Sequence, residues 1–233
     1  MNERINSYRL KTSPFVRSNS DTRDIFPLII ISCEGTRTEY QYFNGLANAI
    51  KERKYQHTDI VLRILPLPKS DTNSDPQSVF DLLDEFWEKH GDEYDNPIMA
   101  AVIDRDDHNC NATIQYCREH MPFQIQLFLS SPCFEFFLLL HICDNIADAY
   151  DMEKIKLNER ISNAHTYMSS LIAELTHSRK DIDFERDYLD NIPRALVNAF
   201  KFETNILQIG DSIGTNLPDF FDILNGVKQS VWE

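Results

Sequence analysis

Three acids in four positions, Asp104, Asp106 and Asp107, follow directly on the apolar run Ile98-Met99-Ala100-Ala101-Val102-Ile103. Carboxylates set that close repel one another, so a cation is the natural partner, and a hard divalent metal with oxygen ligands is the simplest one. Glu34 follows another apolar run, Leu28–Cys33, and Glu135 lies in the first turns of a helix expected after a third such run. If these runs are parallel strands of one sheet, then Glu34, Asp104, Asp106 and Glu135 approach the same edge, where ligands of open α/β sheets gather. Magnesium, with manganese as a substitute, is held by one or two carboxylates and keeps positions free for phosphate oxygens. Metal-assisted phosphodiester cleavage then needs a polarised phosphoryl group, an activated water and a stabilised leaving oxygen.

Each residue also has an ordinary reading. Asp104 and Asp106 suit a helix cap or a solvated loop, although three clustered acids exceed what a cap requires. Glu34 suits a plain turn, and Glu135 suits the positive end of a helix dipole. Thr36 and Glu39 have capping-box spacing, which favours Glu39 as the partner of a capping Thr36 over a metal ligand. Arg37 opposes the dipole of that helix unless an anion arrives there, so it is a candidate phosphate contact as well as a surface arginine. Arg105 and His108, interleaved with the acids, are further candidate substrate contacts, with Gly35 and Asp107 in support. His141 is surrounded by Phe134, Phe137 and Leu138 and reads as a hydrogen-bonded core histidine. The Cys117/His120 pair reads as accidental. An EF-hand loop starting at Asp104 would need glycine sixth and glutamate twelfth, where this chain has Asn109 and Gln115. A haloacid-dehalogenase-like phosphatase places its Asp-x-Asp near the chain start, whereas here the pair comes third in strand order with Glu34 upstream.

The elements that must position these residues follow from the apolar pattern. Leu28–Cys33, Ile60–Leu65, Ile98–Ile103 and Gln124–Leu129 read as strands, short and continuously apolar enough for burial on both faces. Helices are expected between them, the first carrying Tyr40, Phe43, Leu46, Ala47 and Ile50. The second has Asp75 as cap and Pro76 at its first position, and the third runs from about Asn111 with Ile114 and Cys117 inward. The fourth, Cys133–Cys143, is apolar almost all round and so expected to be buried. This alternation predicts a Rossmann-like parallel sheet of about four strands covered on both faces. From Asp151 the pattern becomes purely helical, with Leu157, Ile161, Ala164, Met168, Leu171 and Leu175 in one amphipathic series. Further helices are expected at 184–191, 193–207 and 218–229. The organisation is therefore a mobile polar tail over 1–24, an α/β core over 25–148, and a helical extension over 149–233 that packs on it.

Composition narrows the class. An apolar content of 42% and an aromatic content of 11% over 233 residues support a substantial core. No apolar run approaches the roughly 20 residues needed to span a bilayer, and the start lacks a secretory layout. Five cysteines form an odd set without Cys-x-x-Cys spacing, which argues for reduced thiols in a cytoplasmic protein and against structural zinc. The formal charge of −14 argues against a large non-specific nucleic-acid surface. An enzyme that meets nucleic acid through metal ions, or through a basic partner, remains compatible with it.

An acid after the first strand and Asp-x-Asp after the third resembles the TOPRIM domain of topoisomerases, primases and OLD-type nucleases. More specifically, three blocks in order resemble the RloB family, TOPRIM-like proteins encoded beside bacterial restriction and phage-defence loci. They are Ile30-Ile31-Ser32-Cys33-Glu34-Gly35-Thr36-Arg37-Thr38-Glu39 with Tyr42-Phe43, then Val102-Ile103-Asp104-Arg105-Asp106-Asp107-His108, then Leu129–His141. Asn216-Leu217-Pro218 is a weaker echo of an Asn-Pro-Ser/Thr motif. Ser131 and Phe136 depart from the family's usual Asn and Trp. The resemblance, over roughly 26–229, implies Glu34 as the proton-transfer residue, Asp104 and Asp106 as magnesium ligands, and Glu135 as a motif acid of unsettled role. It also implies an RloA-like ATPase of the AAA/ABC type as partner, a DNA or RNA substrate, and a role in anti-phage defence. The alternative is a non-catalytic TOPRIM-like module regulating that ATPase. Self-association is left open.

Overall fold

The protein is described by a computed structural model covering residues 27–55, 60–66, 76–94, 96–105, 110–163, 165–178 and 181–232. The polar segment 1–24, Asp75, Asp106, Asp107 and His108 lie outside the described residues.

Strands β1 (Leu28–Cys33), β2 (Val61–Leu65), β3 (Ile98–Asp104) and β4 (Ile125–Ser131) form as the apolar runs predict. All six residues of β1 and all seven of β4 are buried, as expected where helices cover both faces of a parallel sheet. Helices α1 (Thr38–Lys51), α2 (Pro76–His90), α3 (Cys110–Glu119) and α4 (Phe134–Ile142) alternate with them. Side chains alternate along the strands, and two cores result. Ile29, Ile31, Cys33, Ala100 and Val102 pack with α1 and α4 on one face. Leu28, Ile30, Met99, Ala101 and Ile103 pack with α2 and α3 on the other.

The spatial order is β2-β1-β3-β4-β5, with the first four strands parallel. From β1 the chain moves to one side of the sheet, and from β3 it moves to the other. The β1/β3 pair is therefore the topological switch point, outside whose carboxyl ends a crevice must open. Glu34 comes one residue after β1, and Asp104 is the last residue of β3.

The region after Asp151 is not purely helical. Helices α5 (Ile146–Ala149), α6 (Met152–Leu157), α7 (Tyr167–Thr176), α8 (Phe184–Asp187), α9 (Ile192–Ala199) and α10 (Leu217–Leu224) are joined by a fifth strand, β5 (Gly214–Thr215). It runs antiparallel to β4. Side chains make this edge as much as backbone does. Asn216 Oδ1 accepts from Leu129 N at 2.7 Å and its Nδ2 donates to Leu127 O at 2.9 Å. Thr215 Oγ1 bonds Leu129 O and lies 3.0 Å from Ser130 Oγ. The expected helix through Leu157 and Ile161 is also broken. Asn158 caps α6 in the left-handed conformation, with φ of 41°, and a backbone bridge pairs Arg160 with Thr166 before α7 begins.

Candidate functional site

Backbone pairing delivers the acids to one place. β1 and β3 run in register with Cys33 opposite Val102, and Glu34 N donates to Val102 O at 2.9 Å. The ladder thus continues one residue past β1 and sets Glu34 beside the end of β3. There Glu34 Oε2 accepts a hydrogen bond from Asp104 N at 3.1 Å. Asp104 Oδ1 in turn accepts from Phe134 N, the first residue of α4, at 2.8 Å. That N–H is among the donors a helix leaves unsatisfied at its start, and a carboxylate there also complements the dipole. Asp104 therefore does serve a helix terminus, that of α4 three elements further along the chain, through one carboxylate oxygen.

The expected capping box of Thr36 and Glu39 does not form. α1 begins at Thr38 with Arg37 at its N-cap and no side-chain cap. Glu39 folds back instead and is only 6% exposed. Its carboxylate lies over Gly35, where a side-chain carbon would come within 1.8 Å of Oε2. A side chain at position 35 would therefore have to push the Glu39 carboxylate aside. Burial pushes the Cys33 thiol well above its usual range, and the charges of Glu39 and Asp104 push it further. Both carboxylates therefore bear on the end of β1.

Glu135, in the first turn of α4, is half-buried. It faces a cavity of about 270 Å³ that Asp104 and Cys133 also line. The Cys133 thiol is pushed well up, by burial first and then by Glu135 and Asp104. The opposite wall comes from the segment between α6 and α7, with Asn158, Arg160, Asn163 and His165. Sequence reasoning absorbed these residues into an amphipathic helix. The one signal was Asn158, since asparagine is the commonest substitute for glycine at a left-handed helix end.

Arg37 and Arg105, two of the cations expected at phosphates, have contacts within the protein. Arg37 meets a carboxylate of the protein itself, donating to Asp181 Oδ1 from Nε at 3.0 Å and from Nη2 at 2.7 Å. Arg105 N donates to Ser130 O at 2.9 Å, and its guanidinium draws the Cys110 thiol down against the larger upward effect of burial. His141 is the core histidine expected. Nδ1 bonds Phe137 O at 2.9 Å and Nε2 bonds the Tyr42 hydroxyl at 3.1 Å. Burial drives its pKa down to about 3, with the nearby Arg194 charge adding to the effect.

Hard oxygen donors at the rim, Glu34, Glu39 and Asp104, suit a divalent cation by chemistry. Among the described residues, no group of three or more histidine, cysteine or acidic side chains is poised around a single point. Asp106, the expected second ligand, lies outside those residues. No helix among them is long and apolar enough to cross a membrane.

A Rossmann-like α/β sheet with acids meeting at its switch point defines the class. The RloB-like protein family model matches residues 29–224, most of the chain, and the protein belongs to that family. No curated protein and no solved structure matches it.

Proposed function

We propose that this protein is a magnesium-dependent nuclease of TOPRIM-like type that hydrolyses phosphodiester bonds of DNA or RNA. In this reading it is the cytoplasmic effector of a bacterial anti-phage, abortive-infection system linked to restriction loci, and it works with an RloA-like AAA/ABC-type ATPase. The observation that carries the reading is the hydrogen bond between Glu34 and Asp104 at the β1/β3 switch point, the crevice where such sheets bind ligands.

Asp104, with Asp106, would hold magnesium, and manganese would substitute for it. A bound ion supplies charge stabilisation at the phosphoryl oxygens and lowers the pKa of a coordinated water. Glu34, fixed by its bond to the Asp104 backbone, is placed to take the proton of the attacking water. Water adds to phosphorus, the ester oxygen leaves with a proton, and the products are a phosphate monoester and an alcohol. Glu135, in the neighbouring cavity, is a candidate to deliver the leaving group's proton. Burial of Glu34, only 4% exposed, keeps bulk water from competing for its hydrogen bonds.

The test is cleavage by the full chain, alone and with its ATPase, across single- and double-stranded DNA, messenger RNA and transfer RNA. Activity that appears with Mg²⁺ or Mn²⁺, disappears with chelator and is lost in Asp104→Asn is the expected result. Absence of cleavage under all these conditions overturns the reading. A second reading, a non-catalytic module that regulates the ATPase, draws on Val197 and Phe200 at the end of α9, which are 66% and 69% exposed. Defence that survives Asp104→Asn would favour it.

A further inference from the structure

The cavity beside Asp104 does not end at Glu135. A second cavity of about 320 Å³ shares Glu135, His165 and Ser169 with it and runs on to Arg37 and Asp181. The two form a trough that starts at the acidic rim and passes the N-terminus of α4. Its walls differ in chemistry. Asp104 and Glu135 stand on the sheet side, while Arg160, Asn163 and His165 stand on the side of the 158–166 segment.

The described residues of that segment are held by hydrogen bonds. Ile161 N and Ser162 N donate to His165 O at 3.0 and 3.1 Å, and Tyr167 N donates to Glu159 O at 2.9 Å. Asn158 ties it to the start of α4, with Nδ2 3.4 Å from Cys133 Sγ and Oδ1 accepting from Met168 N at 2.9 Å. Arg160 is exposed and has no acidic partner among the described residues, although the chain carries 37 acids against 23 lysines and arginines. An exposed arginine with no acidic partner among the described residues, lining one cavity with Asp104 and Glu135, is available to a phosphate.

We propose that the 158–166 segment is the backbone-binding wall of the site, and that Arg160 donates to a phosphate next to the one at the acidic rim. Asn163 and His165 supply further donors along the trough. The ligand is a single sugar-phosphate strand, whose successive phosphates can lie along a trough with Arg160 and Arg37 spaced along its length. The inference rests on the nuclease reading for its second wall, yet it makes a separate demand, since binding here does not require turnover.

The test uses the full chain with fluorescein-labelled single-stranded oligonucleotides. Binding is followed by anisotropy in Ca²⁺ and turnover in Mg²⁺, over a series of salt concentrations. Arg160→Gln should raise Kd and KM about tenfold, the size of one lost charge-assisted hydrogen bond. It should leave kcat unchanged and reduce the salt slope by about 0.7, one phosphate contact on a single strand. Arg160→Lys should restore the slope while recovering only part of the affinity. Unchanged Kd and slope in Arg160→Gln overturn the proposal even if the native protein cleaves. So does an Arg160-dependent affinity for duplex but not for single strands. Binding that depends on Arg160 in a protein that cleaves nothing, alone or with its ATPase, would support the wall and sink the nuclease reading instead.

Discussion

Glu34 and Asp104 are 70 residues apart in the chain and one hydrogen bond apart in space, the Glu34 carboxylate accepting from the Asp104 backbone at 3.1 Å. The bond uses only the main chain of Asp104, so its own carboxylate is left to serve α4 through Phe134 and to face the rim. Position and chemistry are thereby separable at both residues. A substitution can keep the hydrogen bond and remove the charge.

Glu34→Gln and Asp104→Asn are the variants that do this. Each retains a carbonyl oxygen to accept its backbone N–H, so thermal midpoints should stay close to that of the native protein. Cleavage should fall by about 10²–10⁴-fold in Glu34→Gln, the usual contribution of a positioned proton-transfer group. Asp104→Ala differs, because Phe134 N then loses its acceptor. It should also destabilise the fold by about 1 kcal/mol, as loss of a helix cap does. Paired melting curves and cleavage rates for the three variants check this.

Gly35 supports a second prediction, about placement rather than charge. A methyl group there would sit 1.8 Å from the Glu39 carboxylate, which is the far end of a long side chain. Gly35→Ala should therefore fold, within about 1 kcal/mol of the native stability, with Glu39 displaced by an ångström or more. Misplacement on that scale costs about 100-fold in rate. If Glu39 belongs to the rim's working set, the double variant with Glu39→Ala should be no slower than Glu39→Ala alone, since both changes remove one contribution. Additive losses would place the role of Gly35 elsewhere.

The parts of the fold that the sequence showed are those set by burial alone. β1, β3 and β4 read as strands because helices cover both faces and their positions are almost all buried, while β2 at the sheet edge keeps an apolar run around an exposed Arg63. β5 was missed because two residues, Gly214 and Thr215, carry no pattern, and their place depends on the side chains of Thr215 and Asn216. The 158–166 wall was hidden for a different reason. Leu157 and Ile161 fit a helical spacing yet are 63% and 58% exposed, so their spacing recorded no buried face. At the site, Glu34 and Asp104 were legible from strand ends, whereas the inward turn of Glu39 was not. The capping-box pattern of Thr36 and Glu39 is a local preference worth about 1 kcal/mol, and the tertiary contact with Gly35 prevails over it.

Asn216 tests how firmly the added strand braces the site. Its amide satisfies Leu129 N and Leu127 O together, fully out of contact with water. Asn216→Ala leaves two buried backbone groups of β4 unpaired, at about 1–3 kcal/mol each when unmet. A loss of about 3 kcal/mol in urea unfolding is expected. Ser130 O, beside this bracing, holds Arg105 N after Asp104, so the rate should also fall at temperatures where the variant is still folded.

His141 gives the protein a predictable response to acid. Its pKa is about 3 in the fold and near 6.5 when the chain is unfolded. The unfolded state therefore binds the extra proton between those values, and stability rises with pH across that window. The contribution is complete above about pH 6.5 and is lost as pH falls toward 3, with a slope of up to about 1.4 kcal/mol per pH unit. The groups in contact are uncharged rings, Tyr42, Tyr188 and Phe137, and the one cation bonded nearby is Arg194, which donates to the His141 carbonyl. Only the Phe137 carbonyl favours an imidazolium, and burial outweighs it. Between pH 5 and 6.5 ordinary carboxylates contribute little, and comparison with a His141 variant separates this residue from the six other histidines. Urea unfolding of the native protein should show a contribution growing from about half a proton near pH 6.5 to nearly one near pH 5, and His141→Gln, which keeps one donor and one acceptor, should remove it. An equal slope in both proteins would mean that the proton goes to another group, and that the Tyr42–His141–Phe137 chain does not stay neutral.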